Sequence, residues 1–393
     1  MKNLFRFLVA LSFAAPAFAQ RDIGVVDVTA DTSTIPLFVT SSSPELQNLA
    51  LTAFNVHGRF RLVASGAAYA VTFTAAGANQ VNVAITKGAS ATPVHSETVS
   101  GTSLRHALLK AADVAVTKTS GLRGFFAGKL AFVGETTGKT EIYTADLFFG
   151  NVLRWTSDGK QLMGPHWSPD GQRIVFTSYR TSFPDIYVLD LQTRQRNVLA
   201  SFKGTNSGGR FSPDGTRAAM VLSGEGNPEI YVGTAQGRQI RRLTNNQAIE
   251  ASPVWSPDGS RLAFVSDAAG GPQLYVMSAN GGGMTRLKTD VSRYCAEPDW
   301  SKGDPNKIVF TAGVNKGYQT AVFDFTTNTA KIVSHAPMDA IEPAWLGDGR
   351  HVVVTFRAAN TRSLWVLDTE SGKATRLSPA SFGQASNASY LAP

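Results

Sequence analysis

The stretch from His166 to Phe176, HWSPDGQRIVF, sets a carboxylate, Asp170, close to an imidazole, an indole and a glycine. A carboxylate near a histidine on a tight turn has the parts of a general acid–base site. The same stretch returns, however, as FSPDGTRAAM from Phe211 to Met220 and as WSPDGSRLAF from Trp255 to Phe264. An active site needs its carboxylate in one place, whereas Asp170, Asp214 and Asp258 recur in register. The recurrence assigns them to turns: proline fixes φ, glycine takes a positive φ, and aspartate caps local N–H groups.

Other reactive signatures are missing. The chain has no GxSxG elbow, HExxH pair, CxxC pair or phosphate-binding P-loop. Its six histidines, His57, His95, His106, His166, His335 and His351, are scattered, and His166 reads as a residue lining a channel. The lone Cys295 excludes an intramolecular disulfide and reads as a small buried apolar residue. No catalytic residue, metal or cofactor is expected.

The elements that carry these turns form a repeat. Degenerate copies follow at Trp300 and Trp345, so the aromatic anchors 167, 211, 255, 300 and 345 are spaced by 44, 44, 45 and 45 residues. Each period holds a strand ending in the aromatic, the turn, a β-rich triplet such as Ile174 to Phe176, an alternating strand around Ile186 and Tyr187, and a last strand near Val198 and Leu199. Four strands in 44 residues make one propeller blade. The first triplet, Leu130 to Phe132, lacks a preceding aromatic strand, and Tyr390 stands 45 residues beyond Trp345. The C-terminal strand is therefore expected to become the innermost strand of the first blade, closing a ring of six with no open edge.

Upstream, residues 35–120 carry no such echo. Ser43 should cap a helix from Pro44 to Val56, and Thr102 or Ser103 a second one, with strands between them. This predicts a small α/β domain with two helices on one mixed sheet, ahead of an all-β propeller over 121–393. Residues 1–19 read as a secretory signal: Lys2 and Arg6, an apolar run, then Ala17, Phe18 and Ala19 before the expected cut at Gln20. Residues 20–34 form an arm whose Ile23, Val25 and Val28 could pair as an edge strand or which could equally stay mobile. The 393-residue chain is 43% hydrophobic and 17% charged with a net charge of +8. Lys and Arg form no run of five or six, so the charge implies solubility and a generic attraction to anionic envelope components rather than nucleic-acid binding. An exported monomer without a transmembrane segment in its mature form is expected.

Signal, arm, small α/β domain, W-S-P-D-G blades, a closing terminal strand and the linker from Gly121 to Phe126 together resemble the TolB family of the Tol–Pal system. The resemblance implies a non-enzymatic periplasmic protein that docks a Pal-type outer-membrane lipoprotein on its propeller and meets a TolA-type inner-membrane protein through its arm. That role supports outer-membrane integrity and constriction during cell division. Loops entering the innermost strands converge on the channel mouth, which nominates Met163, Thr205, Asn206, Ser207, Gly208, Glu250, Ala251, Glu297 and Glu342 as partner-binding residues. In the arm the nominees are Ile23, Val25 and Asp27. Thr205, Gly208 and Ala251 best match the family's lipoprotein-contacting loops. Glu250, Glu297 and Glu342 have a second reading, as acceptors of hydrogen bonds from neighbouring blades. The competing class is an exported propeller lyase or hydrolase with a metal in its channel, which needs several histidines or carboxylates converging there.

Overall fold

The computed structural model describes residues 34–136 and 138–393; the expected signal and arm, with Ile23, Val25 and Asp27, lie outside them. The described residues form two α-helices, one five-stranded sheet and six four-stranded sheets.

The first sheet contains β1 (Ile35–Ser41), β2 (Phe60–Leu62), β3 (Tyr69–Gly77), β4 (Gln80–Lys87) and β5 (His95–Ser100) in the order β2-β1-β3-β4-β5. Its pairings with β1 are parallel and the others antiparallel. Helix α1 (Pro44–Val56) starts where the Ser43 Oγ accepts the Leu46 N–H, with proline at its first position. Helix α2 (Leu104–Ser120) is capped in the same way by Ser103 and ends at Gly121, whose φ of 74° suits a left-handed C-cap. Leu46, Ala50 and Phe54 on α1 and Leu108, Ala111 and Ala115 on α2 are buried with Val71, Phe73, Val83 and Ile85 of the sheet. This is the two-helix mixed-sheet unit that the spacing predicts.

The six remaining sheets are the blades. Blade 1 is ordered Gln384–Leu391, Lys129–Glu135, Thr140–Asp146, Leu153–Arg154, so the chain's last strand is its innermost. That strand pairs antiparallel with Lys129–Glu135, Tyr390 opposite Leu130. Blades 2 to 6 have innermost strands Leu162–Trp167, Asn206–Phe211, Glu250–Trp255, Cys295–Trp300 and Asp339–Trp345. In the turn after Trp167 the Ser168 hydroxyl donates to Asp170 and accepts the Arg173 N–H, while Asp170 accepts the Gln172 N–H. The same bonds recur at Ser212 and Asp214 and at Ser256 and Asp258. Asp170 thus turns the chain.

Indoles stitch the blades together. Trp255 Nε1 donates to the Arg210 carbonyl of the preceding blade at 3.0 Å and Trp345 Nε1 to that of Asp299 at 3.1 Å. Trp255, Trp300 and Trp345 are buried, each contributing a few kcal/mol from roughly 150–250 Å² removed from water. Trp167 differs from them: it is only half-buried and borders an open groove shared with α2 and Lys129, and its indole N–H has no partner among the described residues. Cys295 is fully buried.

One apolar cluster runs from the α/β unit through Phe125 and Phe126 into blades 1 and 6. The linker is tied down on both sides. Asp113 on α2 accepts the N–H groups of Phe126 at 2.6 Å and Ala127 at 3.0 Å, and the Tyr390 hydroxyl donates to the Phe125 carbonyl at 2.8 Å. A Cβ on Gly124 would fall 2.3 Å from the Asp113 side chain, so the close approach requires glycine.

Candidate functional site

Each innermost strand breaks register three residues before its aromatic anchor or the tyrosine that replaces it. The residues there are Gly164, Gly208, Ser252, Glu297, Glu342 and Asn387, with φ between 50° and 67°. A bulge with one left-handed residue bends the strand and re-aims the next side chains. Six such bulges form a ring around the channel mouth, a cavity of about 400 Å³.

The ring has two unlike halves. On one, the Glu297 carboxylate accepts the Glu342 N–H at 2.9 Å, Glu342 accepts the Asn387 N–H at 2.8 Å, and Asn387 accepts the Gly164 N–H at 2.6 Å. Thr311 and Thr355 each donate a hydroxyl to these carboxylates. Burial, and then the adjacent Glu297, raise the Glu342 carboxyl to about 7. On the other half the ring carries Gly164, Gly208 and Ser252, flanked by Met163, Ser207 and Ala251. A Cβ on Gly208 would already touch Pro253 and Val221 at 3.3 Å. The mouth is therefore braced and acidic on one side and low-walled on the other, with Arg357 and Arg362 on its rim.

Of the nominated residues, the structure brings Met163, Ser207, Gly208, Ala251, Glu297 and Glu342 together around this cavity. Asn206 and Glu250 turn inward instead. Asn206 is buried, its amide donating to the carbonyls of Phe202 and Pro184. Glu250 is buried against Ser266, Asn246 and Glu229; burial first and Glu229 second hold its carboxyl above the usual range. Thr205 is half-buried, its N–H on the Ser223 hydroxyl. Arg357 and Arg362 went unnominated because they enter from neighbouring strands rather than from the innermost ones.

A second cluster was not legible in the sequence. His57, at the end of α1, meets His351 of blade 6 with ring centroids 4.4 Å apart, and Asp348 joins them. Three such groups could hold a metal ion; most of their polar atoms already have partners, while the buried His57 Nε2 has none among the described residues. His351 Nδ1 lies 2.6 Å from Asp348, its Nε2 accepts the Gly58 N–H, and His57 Nδ1 accepts the Arg59 N–H. Arg350 and Asp368 close the cluster with a buried bidentate pair at 2.9 and 2.7 Å. Burial and then His351 keep His57 well below its usual range, so it is neutral; Asp348 and Asp368 hold His351 above its own against burial. The arrangement ties the α/β unit to the propeller, outside the channel.

The fold and the mouth define a class: a six-bladed propeller closed by its C-terminal strand and joined to a small α/β unit. The TolB beta propeller domain family matches residues 116–391. This chain belongs to the TolB family. The crystal structure of TolB from Acinetobacter baumannii superposes with a TM-score of 0.83 at 26% identity, covering 94% of this chain and 99% of that one. The Tol-Pal system protein TolB of Methylobacillus flagellatus is 38% identical over 104 residues, 26% of this chain and 24% of the relative. The corresponding protein of Haemophilus influenzae strain PittGG is 35% identical over 154 residues, 37% of this chain and 34% of the relative. The chain thus spans about a quarter to a third of the length of these curated relatives.

Proposed function

We propose that this chain is a periplasmic docking protein of a Tol–Pal system. The channel mouth receives a Pal-type outer-membrane lipoprotein domain, and the segment 20–34, with Ile23, Val25 and Asp27, meets a TolA-type inner-membrane protein. Export through the segment 1–19 and a role in outer-membrane integrity and constriction during division belong to the same reading. The domain limits 35–120 and 121–393 go with it, the first unit orienting the arm and the second presenting the mouth.

The observation that carries the reading is the asymmetric ring: a braced acidic side beside a low wall at Gly164, Gly208 and Ser252, where a folded partner can approach the backbone. Interfaces concentrate their energy in a few central residues seated in a shaped recess, and one loop from each blade meets here. Affinity to relatives that bear the Tol-Pal name supports it. The three groups that converge as metal ligands lie at the domain junction, which gives no support to a metal-dependent enzyme working in the channel.

Calorimetry with a purified Pal-type lipoprotein domain tests the reading. Ala251→Arg places a bulky charge on the low wall and should abolish binding while the melting temperature stays near that of the wild type. Wild-type affinity in that folded variant would remove the mouth as the interface.

A further inference from the structure

Below the mouth the channel continues into a second cavity of about 200 Å³; His166, Arg210 and Ala344 line both. The residue just before each aromatic anchor, or before Tyr390, points to one ring here: His166, Arg210, Val254, Asp299, Ala344 and Ser389. Three lining residues are permanent or ordinary cations, Arg123, Arg210 and Lys302, against the one carboxylate Asp299.

That carboxylate is fully engaged. Its Oδ1 accepts Arg210 Nη1 at 3.1 Å and its Oδ2 accepts the Trp345 N–H at 2.9 Å. Arg210 has no other acceptor among the described residues, and Lys302 has neither a hydrogen bond nor an ion pair there. Lys302 occupies the turn position that holds Pro169, Pro213 and Pro257 in other blades, and it is exposed where it lines this cavity. Two polar atoms on the same ring, His166 Nδ1 and Ser389 Oγ, are shut from solvent without a partner. Arg210, with 23% of its side chain exposed, and the exposed Lys302 therefore have N–H donors to spare for an occupant of the space.

We propose that this inner cavity is a binding site for a small oxyanion, a phosphate or carboxylate group held by Arg210 and Lys302. Guanidinium and ammonium supply charge-assisted bonds, and the walls of Trp255, Trp300 and Trp345 keep the dielectric low, so the bonds are stronger than at a surface. The site lies beneath the mouth and does not depend on what docks there.

Titration calorimetry of the mature full chain in a phosphate-free zwitterionic buffer, with inorganic phosphate in one arm and malonate in the other, tests the proposal. Saturable binding of at least one probe is expected, with affinity falling as chloride is added. Lys302→Gln, which removes a charge that bonds to no other side chain, should weaken it about tenfold or more without moving the anion-free melting temperature. Absence of saturable binding in either arm, or unchanged affinity in Lys302→Gln, would overturn the assignment.

Discussion

Asn387 and Gly164 are 223 residues apart in the chain and 2.6 Å apart in the fold, the amide oxygen of one accepting the N–H of the other. The bond joins the last strand, in blade 1, to the first strand of blade 2. It completes the chain of acceptors that runs from Glu297 through Glu342 around half the channel mouth. Ring closure and the candidate docking surface are thus built by the same C-terminal residues.

Removal of residues 384–393 should therefore unfold the propeller cooperatively rather than trim it, because two strand edges and the inner face of blade 1 become exposed. Tyr390→Phe isolates one component: it loses only the hydroxyl bond to the Phe125 carbonyl and should cost about 1 kcal/mol. Urea unfolding measures both, and a truncated chain that melts like the wild type would show that the ring closes without this strand.

Glu342 gives a pH dependence with a definite sign. Its folded carboxyl sits at about 7, above the 4.5 of an ordinary glutamate, so the folded state holds this proton more tightly than the unfolded one. The contribution favours folding at acid pH and is lost as pH rises from the ordinary value through about 7. Glu342→Gln mimics the protonated form and still accepts from Asn387 and Thr355. It should match the wild type near pH 5 and exceed its melting temperature near pH 8. Parallel melting curves across that range would contradict the assignment.

Asp113 carries the junction between the two units. Asp113→Ala removes two bonds to the linker backbone, leaving the Phe126 and Ala127 N–H groups without their acceptors, and should cost about 3 kcal/mol in denaturant unfolding. The loss should come with faster hydrogen exchange at residues 122–127.

Asp170→Asn should be mild, about 1 kcal/mol or less, since the amide oxygen can still accept from Ser168 and Gln172 on an exposed turn. Hydrogen bonds from Ser168 and Gln172, aided by Arg173, outweigh desolvation and hold its carboxyl below the usual range, so the small stabilisation it gives is present at neutral pH and fades as pH falls below that range. Partner binding, followed by calorimetry, should not change.

The features readable from residue order alone are local or periodic. The 44-residue spacing fixes the blades, Ser-Pro-Asp-Gly fixes their turns, Ser43 and Ser103 start the helices, and Tyr390 marks the missing inner strand of blade 1. These follow from backbone preferences and side-chain bonds spanning a few residues, repeated often enough to be read. Only the tertiary structure decided which way single side chains face where two elements meet. Asn206 and Glu250 occupy mouth-entering loops, yet both turn inward to satisfy buried carbonyls and hydroxyls. His57 and His351 share one buried cluster although they stand far apart in the chain, and Gly58, 293 positions from His351, donates its N–H to that ring. Arg210 and Lys302 converge in the channel from different blades. The bond of Asn206 to the Pro184 carbonyl, the histidine cluster and the channel cations each need a group brought from another blade or unit, and no spacing within one blade encodes what its neighbours will supply.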